Sequence, residues 1–126
     1  MGSENLEKSQ IRVLFYILND ADLLDPLLDR LSQAGVRGCT IFDSSGMGRQ
    51  LAKKQPDAFN ALFGIGSVLG NFGLSNANSK TLMMLLRQDK IDSVVSVIEQ
   101  VVGDLSVAGS GILFSFAPDM IKGLKL

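Results

Sequence analysis

The order of its apolar segments constrains the fold of this chain more than any other feature, because a strand, a helix and a strand follow one another twice. Ile11–Leu18 is short and rich in β-branched and aromatic residues, which is typical of a strand. Residues 19–35 then place leucines at helical spacing, and residues 36–44 return to a strand pattern. This is the first strand–helix–strand unit.

The second unit follows a long connection. Residues 80–86 predict a third strand, residues 91–102 carry one apolar stripe that predicts a second helix, and residues 111–117 predict a fourth strand. The doubled unit is the plan of an α+β, ferredoxin-like βαββαβ sandwich. With 126 residues, we expect a single domain over residues 11–126, preceded by a polar, flexible tail over residues 1–10.

Capping residues indicate where the two helices begin and end. Asp25 with Pro26 marks one possible start of the first helix, and a start near Asp20 is the alternative. Asp89 is expected to cap the second helix. Gly35 is expected to end the first helix in the left-handed conformation, and Gly103 closes the second helix in the same way.

Missing residue types exclude several functions. The chain has no histidine and a single cysteine, Cys39, so serine–histidine and cysteine–histidine catalysis, thiolate–imidazole zinc sites and an intrachain disulfide are all excluded. A lone cysteine is typical of a reducing cytoplasm, and residues 1–10 lack the apolar stretch of a signal peptide. The net charge of −1 argues against nucleic-acid binding.

The predicted sheet is apolar on both faces, although helices in this plan cover only one. Val13, Phe15 and Ile17 lie on one face of the first strand, and Leu14, Tyr16 and Leu18 lie on the other. A second apolar face needs a cover, and further protein is the simplest one. We therefore expect a homo-oligomer packed through its sheets.

Two glycine segments are candidates for an anion-binding site. Gly46-Met47-Gly48-Arg49-Gln50 follows the second strand, and Gly109-Ser110-Gly111 precedes the fourth. Glycines let the backbone approach an anion, and an arginine can donate two hydrogen bonds to it; the alternative is that both segments are plain turns. Since the second and fourth strands lie at opposite edges of the sheet, we expect the segments to be far apart within one subunit, which favours a site between subunits.

The connection over residues 50–79 is too long for a simple link. From Ala58 to Ser79 it carries no charge, and it holds a series of large apolar side chains: Phe59, Leu62, Phe63, Ile65, Val68, Leu69 and Phe72. Interspersed glycines argue against a transmembrane helix. Two interpretations remain open: the side chains pack on the chain's own oligomer, or they form a mobile arm that docks on a partner or membrane protein.

Two smaller features favour structural roles. Asp20, Asp22, Asp25 and Asp29 lie around a helix start, where negative charge is favourable, and we predict no metal there. Cys39 is expected to be a buried packing residue within the second strand.

With these segments in place, the sequence resembles the PII signal-transduction proteins from Ile11 to about Lys122. The pattern G-x-T-x(5)-G-x-G-R-Q is met by Gly38, Thr40, Gly46, Gly48, Arg49 and Gln50. The resemblance implies a homotrimer that binds ATP or ADP, with or without Mg²⁺, in clefts between subunits, and in many members 2-oxoglutarate. It also implies a long mobile loop that controls ammonium transporters and enzymes of nitrogen metabolism.

By this resemblance, the nucleotide-binding residues are Gly38, Thr40, Gly46, Met47, Gly48, Arg49, Gln50, Gly109, Ser110, Gly111 and Lys122. The chain departs from the family pattern where Ile112 replaces a phosphate-binding lysine and where two C-terminal arginines are lost; Lys122 or Lys125 replaces them in part. The connection also has no tyrosine to modify.

The sequence thus predicts a cytoplasmic, PII-like regulator rather than an enzyme, sensing a small effector and acting on a protein target through its long loop. One alternative is an effector-independent protein that docks on a membrane transporter or an enzyme through the apolar loop. A small ferredoxin-like enzyme using aspartate or lysine chemistry ranks last, because nothing in the sequence gathers such residues around a pocket.

Overall fold

The computed structural model describes residues 10–55, 57 and 79–125, with the exception of the Arg49 side chain. The strands are β1 (Ile11–Leu18), β2 (Thr40–Ser44), β3 (Ser79–Arg87) and β4 (Ile112–Phe116). The helices are α1 (Leu24–Gln33), α2 (Met47–Lys54) and α3 (Ile91–Val102), and short 3₁₀ turns at Ala21–Leu23 and Gln88–Lys90 lead into α1 and α3. The predicted tail lies outside the described residues, apart from Gln10.

The four strands form one antiparallel sheet in the order β2-β3-β1-β4. This arrangement confirms the predicted α+β, ferredoxin-like fold and places β2 and β4 at the two edges. β1 has the predicted bounds, whereas β2 is shorter than expected because residues 36–39 lie outside the ladder. In the part of the chain that is described, no helix is long and apolar enough to cross a membrane.

The core lies between one face of the sheet and helices α1 and α3. Alternate residues of the central strands supply the sheet side, so a period of two in the sequence produces one continuous apolar surface. Its buried members are Leu14, Tyr16, Leu18, Leu82, Met84 and Leu86 from the sheet and Leu27, Leu31, Val94 and Ile98 from the helices. The helical spacing in the sequence therefore marks the face of each helix that packs on the sheet.

The helix ends follow the capping signals in part. Gly35 has a φ of +92°, and the amide of Val36 donates to the carbonyl of Leu31, which is the predicted left-handed end of α1. Helix α1 begins at Leu24, so Asp25 lies in its first turn, and Asp20 caps the preceding 3₁₀ turn, where its side chain accepts from the amide of Asp22. Asp89 does not cap α3: it lies inside the 3₁₀ turn that precedes the helix.

Helix α2 was not predicted, since the sequence indicated a turn over residues 46–50 and a connection from residue 50 onward. The helix begins after Gly46 and ends in Lys53 and Lys54, whose charges favour the carboxyl end of a helix. Good helix formers between these points outweigh the glycine at position 48. Residues 56 and 58–78, with the seven apolar residues predicted to bind a partner, lie outside the described part of the chain.

The sheet surface opposite the helices, here called the open face, is apolar and aromatic as predicted. The ring of Phe15 stacks on those of Phe114 and Phe116, with centroids 5.3 and 6.1 Å apart. Phe114 and Phe116 are 46% and 45% exposed, and Phe42 on the edge strand β2 is 44% exposed. A surface of this kind on a water-facing sheet is typical of a protein–protein contact.

Candidate functional site

The candidate site lies at the end of the sheet where β1 and β2 finish and where β3 and β4 begin. The antiparallel order places the last residues of β1 and β2 beside the first residues of β3 and β4. A cavity of about 340 Å³, here called the glycine cavity, lies at this end. It is lined by Ile17, Asn19, Gly46, Met47, Gly48, Ser79, Gly109, Gly111 and Ile112.

The glycine cavity brings together the two glycine segments within one chain. The expectation that these segments lie far apart in a single subunit is therefore wrong. The strands that carry them are indeed at opposite edges, but the segments leave those strands and converge beyond the ends of β1 and β3, where Ile17 and Ser79 lie between them. The place of a strand at the edge of a sheet determines where the strand lies, but it does not determine the path of the connection beside it.

Gly111 is required by the geometry of this end. Its φ is +111°, a region that side chains rarely adopt, and a Cβ added there would lie 2.3 Å from the carbonyl oxygen of Ile17. The same Cβ would be 2.8 and 2.9 Å from the ring and hydroxyl of Tyr16. Gly111 thus lets the segment before β4 pack directly on β1.

Two side chains from β1 and its end hold this segment in place. The hydroxyl of Tyr16 donates to the carbonyl of Ser110 at 2.6 Å, and Nδ2 of Asn19 donates to the carbonyl of Gly109 at 2.9 Å. Tyr16 is fully buried, and burial raises the pKa of its phenol from 10 to about 12. The segment is therefore anchored through its carbonyls.

The raised pKa of Tyr16 predicts a loss of stability in alkali. Because the folded chain holds the phenol proton more tightly, this contribution is complete below pH 10 and is lost as the pH rises toward about 12. Tyr16 is the only tyrosine and the chain has no tryptophan, so ultraviolet titration of tyrosinate reads this one group. We expect an apparent pKa near 12 in the folded protein and near 10 in concentrated urea.

Tyr16→Phe is the control for that titration. It should lose the tyrosinate signal and the alkaline component of unfolding, and lose about 1 kcal/mol of stability at neutral pH with the hydrogen bond to Ser110. A folded-state pKa near 10 would contradict the buried position of the phenol.

Ser79 and Asn19 line the cavity but were not predicted as site residues. The hydroxyl of Ser79 lies 2.7 Å from that of Ser44, its partner in the β2–β3 ladder, and Thr81 donates to Ser44 at 2.8 Å. The sequence assigned Ser79 to the end of the connection over residues 50–79, one residue before the predicted third strand, whereas β3 begins at Ser79. Only the strand register shows that it meets Ser44 beside the glycine segments.

A second cavity of about 230 Å³, here called the Thr40 cavity, lies at the other end of β2. Gly38 and Thr40 line it together with Met83 of the open face and with Lys125 from the C-terminal segment. β2 spans roughly 13 Å, so these predicted site residues are not brought to the glycine cavity of the same chain. Lys122 is exposed, and Lys125 is the lysine beside Thr40.

Three other residues singled out in the sequence do not line the glycine cavity. Cys39 lies before β2 and not within it, and it is half-buried, which raises the pKa of its thiol. Nε2 of Gln50 donates to the hydroxyl of Ser45 at 2.9 Å. Ser110 lines a separate cavity of about 300 Å³, which shares Gly109 with the glycine cavity. Within the described residues, no cluster of three or more acidic or cysteine side chains could hold a metal.

Comparisons with known proteins agree with this architecture. No protein-family model and no curated protein matches the chain. Among solved structures, the chain shares a TM-score of 0.58 and 15% identity with the PII protein of Arabidopsis thaliana, which is bound to citrate, over 87% of this chain and 78% of that one. It shares a TM-score of 0.59 and 11% identity with a protein of unknown function from Pediococcus pentosaceus, over 92% and 99% of the two chains.

The sheet order and the two helices on one face make the chain a ferredoxin-like α+β protein. Within that class its fold is that of the PII proteins, so the resemblance found in the sequence is confirmed for the fold.

Proposed function

We propose that the chain is a PII-like regulatory protein of the cytoplasm rather than an enzyme. It assembles as a homotrimer, binds an adenine nucleotide between subunits and acts on a protein target through the connection between α2 and β3. A membrane transporter or an enzyme of nitrogen or related metabolism fits the resemblance. The observation that carries the proposal is the glycine cavity, where two segments predicted to bind nucleotide converge.

The cavity has the properties of a site for an anionic oxygen. Gly46 and Gly48 border it at the start of α2, where backbone amides and the positive end of the helix dipole favour negative charge. Among described residues, nothing lies within 4 Å of the place that a Cβ of Gly46 would take, and its φ is an ordinary −80°. The fold therefore does not require glycine there, and the free space is available to a ligand.

A site between subunits is supported by the open face. Both cavities border that face, the glycine cavity through Ile17 and Ile112 and the Thr40 cavity through Met83. When copies pack through their open faces, the glycine cavity of one subunit can adjoin the Thr40 cavity of the next. The proposed nucleotide site then combines Gly46–Gly48 and Gly111 from one subunit with Thr40 and Lys125 from its neighbour.

Calorimetric titration of the purified protein with ATP, ADP and AMP tests this function, each with and without Mg²⁺ and 2-oxoglutarate. We expect micromolar binding of at least one nucleotide. Arg49→Ala should weaken it about tenfold or more, since a hydrogen bond to a charged group contributes about 1.5–3 kcal/mol. The control is Arg30→Ala, which removes an arginine in the helix layer that donates to Gln100.

Two negative results of this titration would contradict different parts of the proposal. An unchanged dissociation constant in Arg49→Ala would remove this residue from the proposed site. Absence of binding by all three nucleotides would contradict the proposed effector, and the alternative of an effector-independent docking protein would then be preferred.

A further inference from the structure

Ser79 is a buried polar residue at the edge of the glycine cavity. Only 3% of its surface is exposed, although it is the first residue of β3 and lines the cavity together with the start of α2. A serine hydroxyl has one hydrogen to donate and two lone pairs that accept, and a buried one is costly when it is left unsatisfied. We therefore expect the hydrogen of the Ser79 hydroxyl, as well as its lone pairs, to have a partner.

The three neighbouring hydroxyls leave one hydrogen over. Thr81 donates to Ser44, and Ser44 and Ser79 share a single bond, so three hydrogens serve two hydrogen bonds. Hydroxyl hydrogens rotate to suit their partners. When Ser44 donates to Ser79, all bonds in the row run in one direction, and the remaining hydrogen is that of Ser79, next to the cavity.

We propose that Ser79 is a ligand-binding residue whose hydroxyl donates to an oxyanion, such as a phosphoryl oxygen, held in the glycine cavity. This inference rests on the proposed function and adds a contact to its site. The backbone amides of the glycine segments already favour an acceptor oxygen there, and an acceptor selects the arrangement in which Ser44 donates to Ser79. Three hydroxyls in series also polarise one another, which strengthens the last bond.

A purely structural role for Ser79 makes a different prediction. Its described hydrogen bond is the one to Ser44, and Ser44 does not line the glycine cavity. Ser44→Ala removes the same hydrogen bond from the other side, together with the one from Thr81, and leaves the cavity wall intact. The pair Ser79→Ala and Ser44→Ala therefore separates a bond to the ligand from a bond within the sheet.

The test titrates the wild-type protein, Ser79→Ala and Ser44→Ala with ATP, ADP, AMP and inorganic phosphate by calorimetry. We expect Ser79→Ala to weaken the tightest of these probes by about tenfold to a hundredfold and Ser44→Ala to change it less than threefold, although Ser44→Ala loses two hydrogen bonds and should lower the thermal stability at least as much. Ser79→Cys keeps the shape of the side chain but replaces the hydroxyl by a larger thiol that is a weak donor, and it should also bind at least tenfold more weakly than the wild type.

The outcomes distinguish the two proposals. If Ser79→Ala binds as tightly as the wild type, or if Ser44→Ala weakens binding as much as Ser79→Ala does, the proposed role of Ser79 is overturned. The proposed nucleotide site is unaffected by either result. Phosphate binding that depends on Ser79 without binding of any nucleotide supports Ser79 and overturns the nucleotide. Absence of binding of every probe to the wild type overturns both.

Discussion

Phe114→Asp is expected to convert the proposed oligomer into a folded monomer. Phe114 is the central residue of the edge strand β4, on the open face; it stacks on Phe15 and is 46% exposed in the single chain, so a polar residue there costs the isolated chain little. In an oligomer packed through this face, each subunit would bury an unpaired carboxylate, which costs about 3–5 kcal/mol. Since 1.4 kcal/mol is a factor of ten, the dissociation constant should rise about a thousandfold. Sedimentation or light scattering measures the mass directly.

Val107→Asp is the matched control, because Val107 is also apolar and 59% exposed but lies in the connection before β4, outside the open face. It should keep the wild-type mass, and both variants should keep the wild-type circular dichroism. If Phe114→Asp retains the oligomer, the subunits meet through another surface. A monomeric wild type would overturn the proposed assembly altogether.

Gly111→Ala is expected to destabilise the fold by about 2–4 kcal/mol and to weaken the proposed binding at the glycine cavity. The new methyl group would meet backbone, the Ile17 carbonyl, at 2.3 Å, and also the buried ring of Tyr16. Neither neighbour can turn away as an exposed side chain would, and overpacking of this kind costs about 1–3 kcal/mol. The left-handed φ adds about 1 kcal/mol. Urea denaturation measures the sum.

Gly35→Ala separates these two costs. Gly35 has a similar φ of +92°, but nothing among the described residues lies within 4 Å of the added Cβ. We therefore expect a loss of about 1 kcal/mol, and the difference between the two variants gives the steric part at Gly111. Equal losses would mean that the segment before β4 shifts away from β1 at little cost.

The spacing of apolar residues was sufficient to predict those elements whose structure depends mainly on the burial of apolar side chains. The bounds of β1 were predicted without error because both of its faces are buried or apolar, and the spacing of apolar residues in α3 identified the face that packs on the sheet. It failed where two local preferences compete. Gly48 favoured a turn, but the good helix formers after it continue α2 to Lys54.

The candidate site was predictable in its parts but not in its assembly. Both glycine segments were identified from their composition. Their convergence within a single chain could not be predicted, because it depends on the path of the connections, which the order of the strands does not specify. Ser79 could not be identified, because its importance comes from the register that places it against Ser44. Gly111 looked like one glycine among several until its contact with Ile17 was known.

The pairing of Ser44 with Ser79 has a consequence for how proteins of this type can diversify. These residues form the last rung of the β2–β3 ladder, so the chain that leaves after β2 returns to the point from which it departed. The entropic cost of closing such a loop grows only slowly with its length. Insertions or exchanges between the ends of this connection are thus expected to be inexpensive for the fold, and this position can accept a new recognition segment while the proposed effector site stays unchanged.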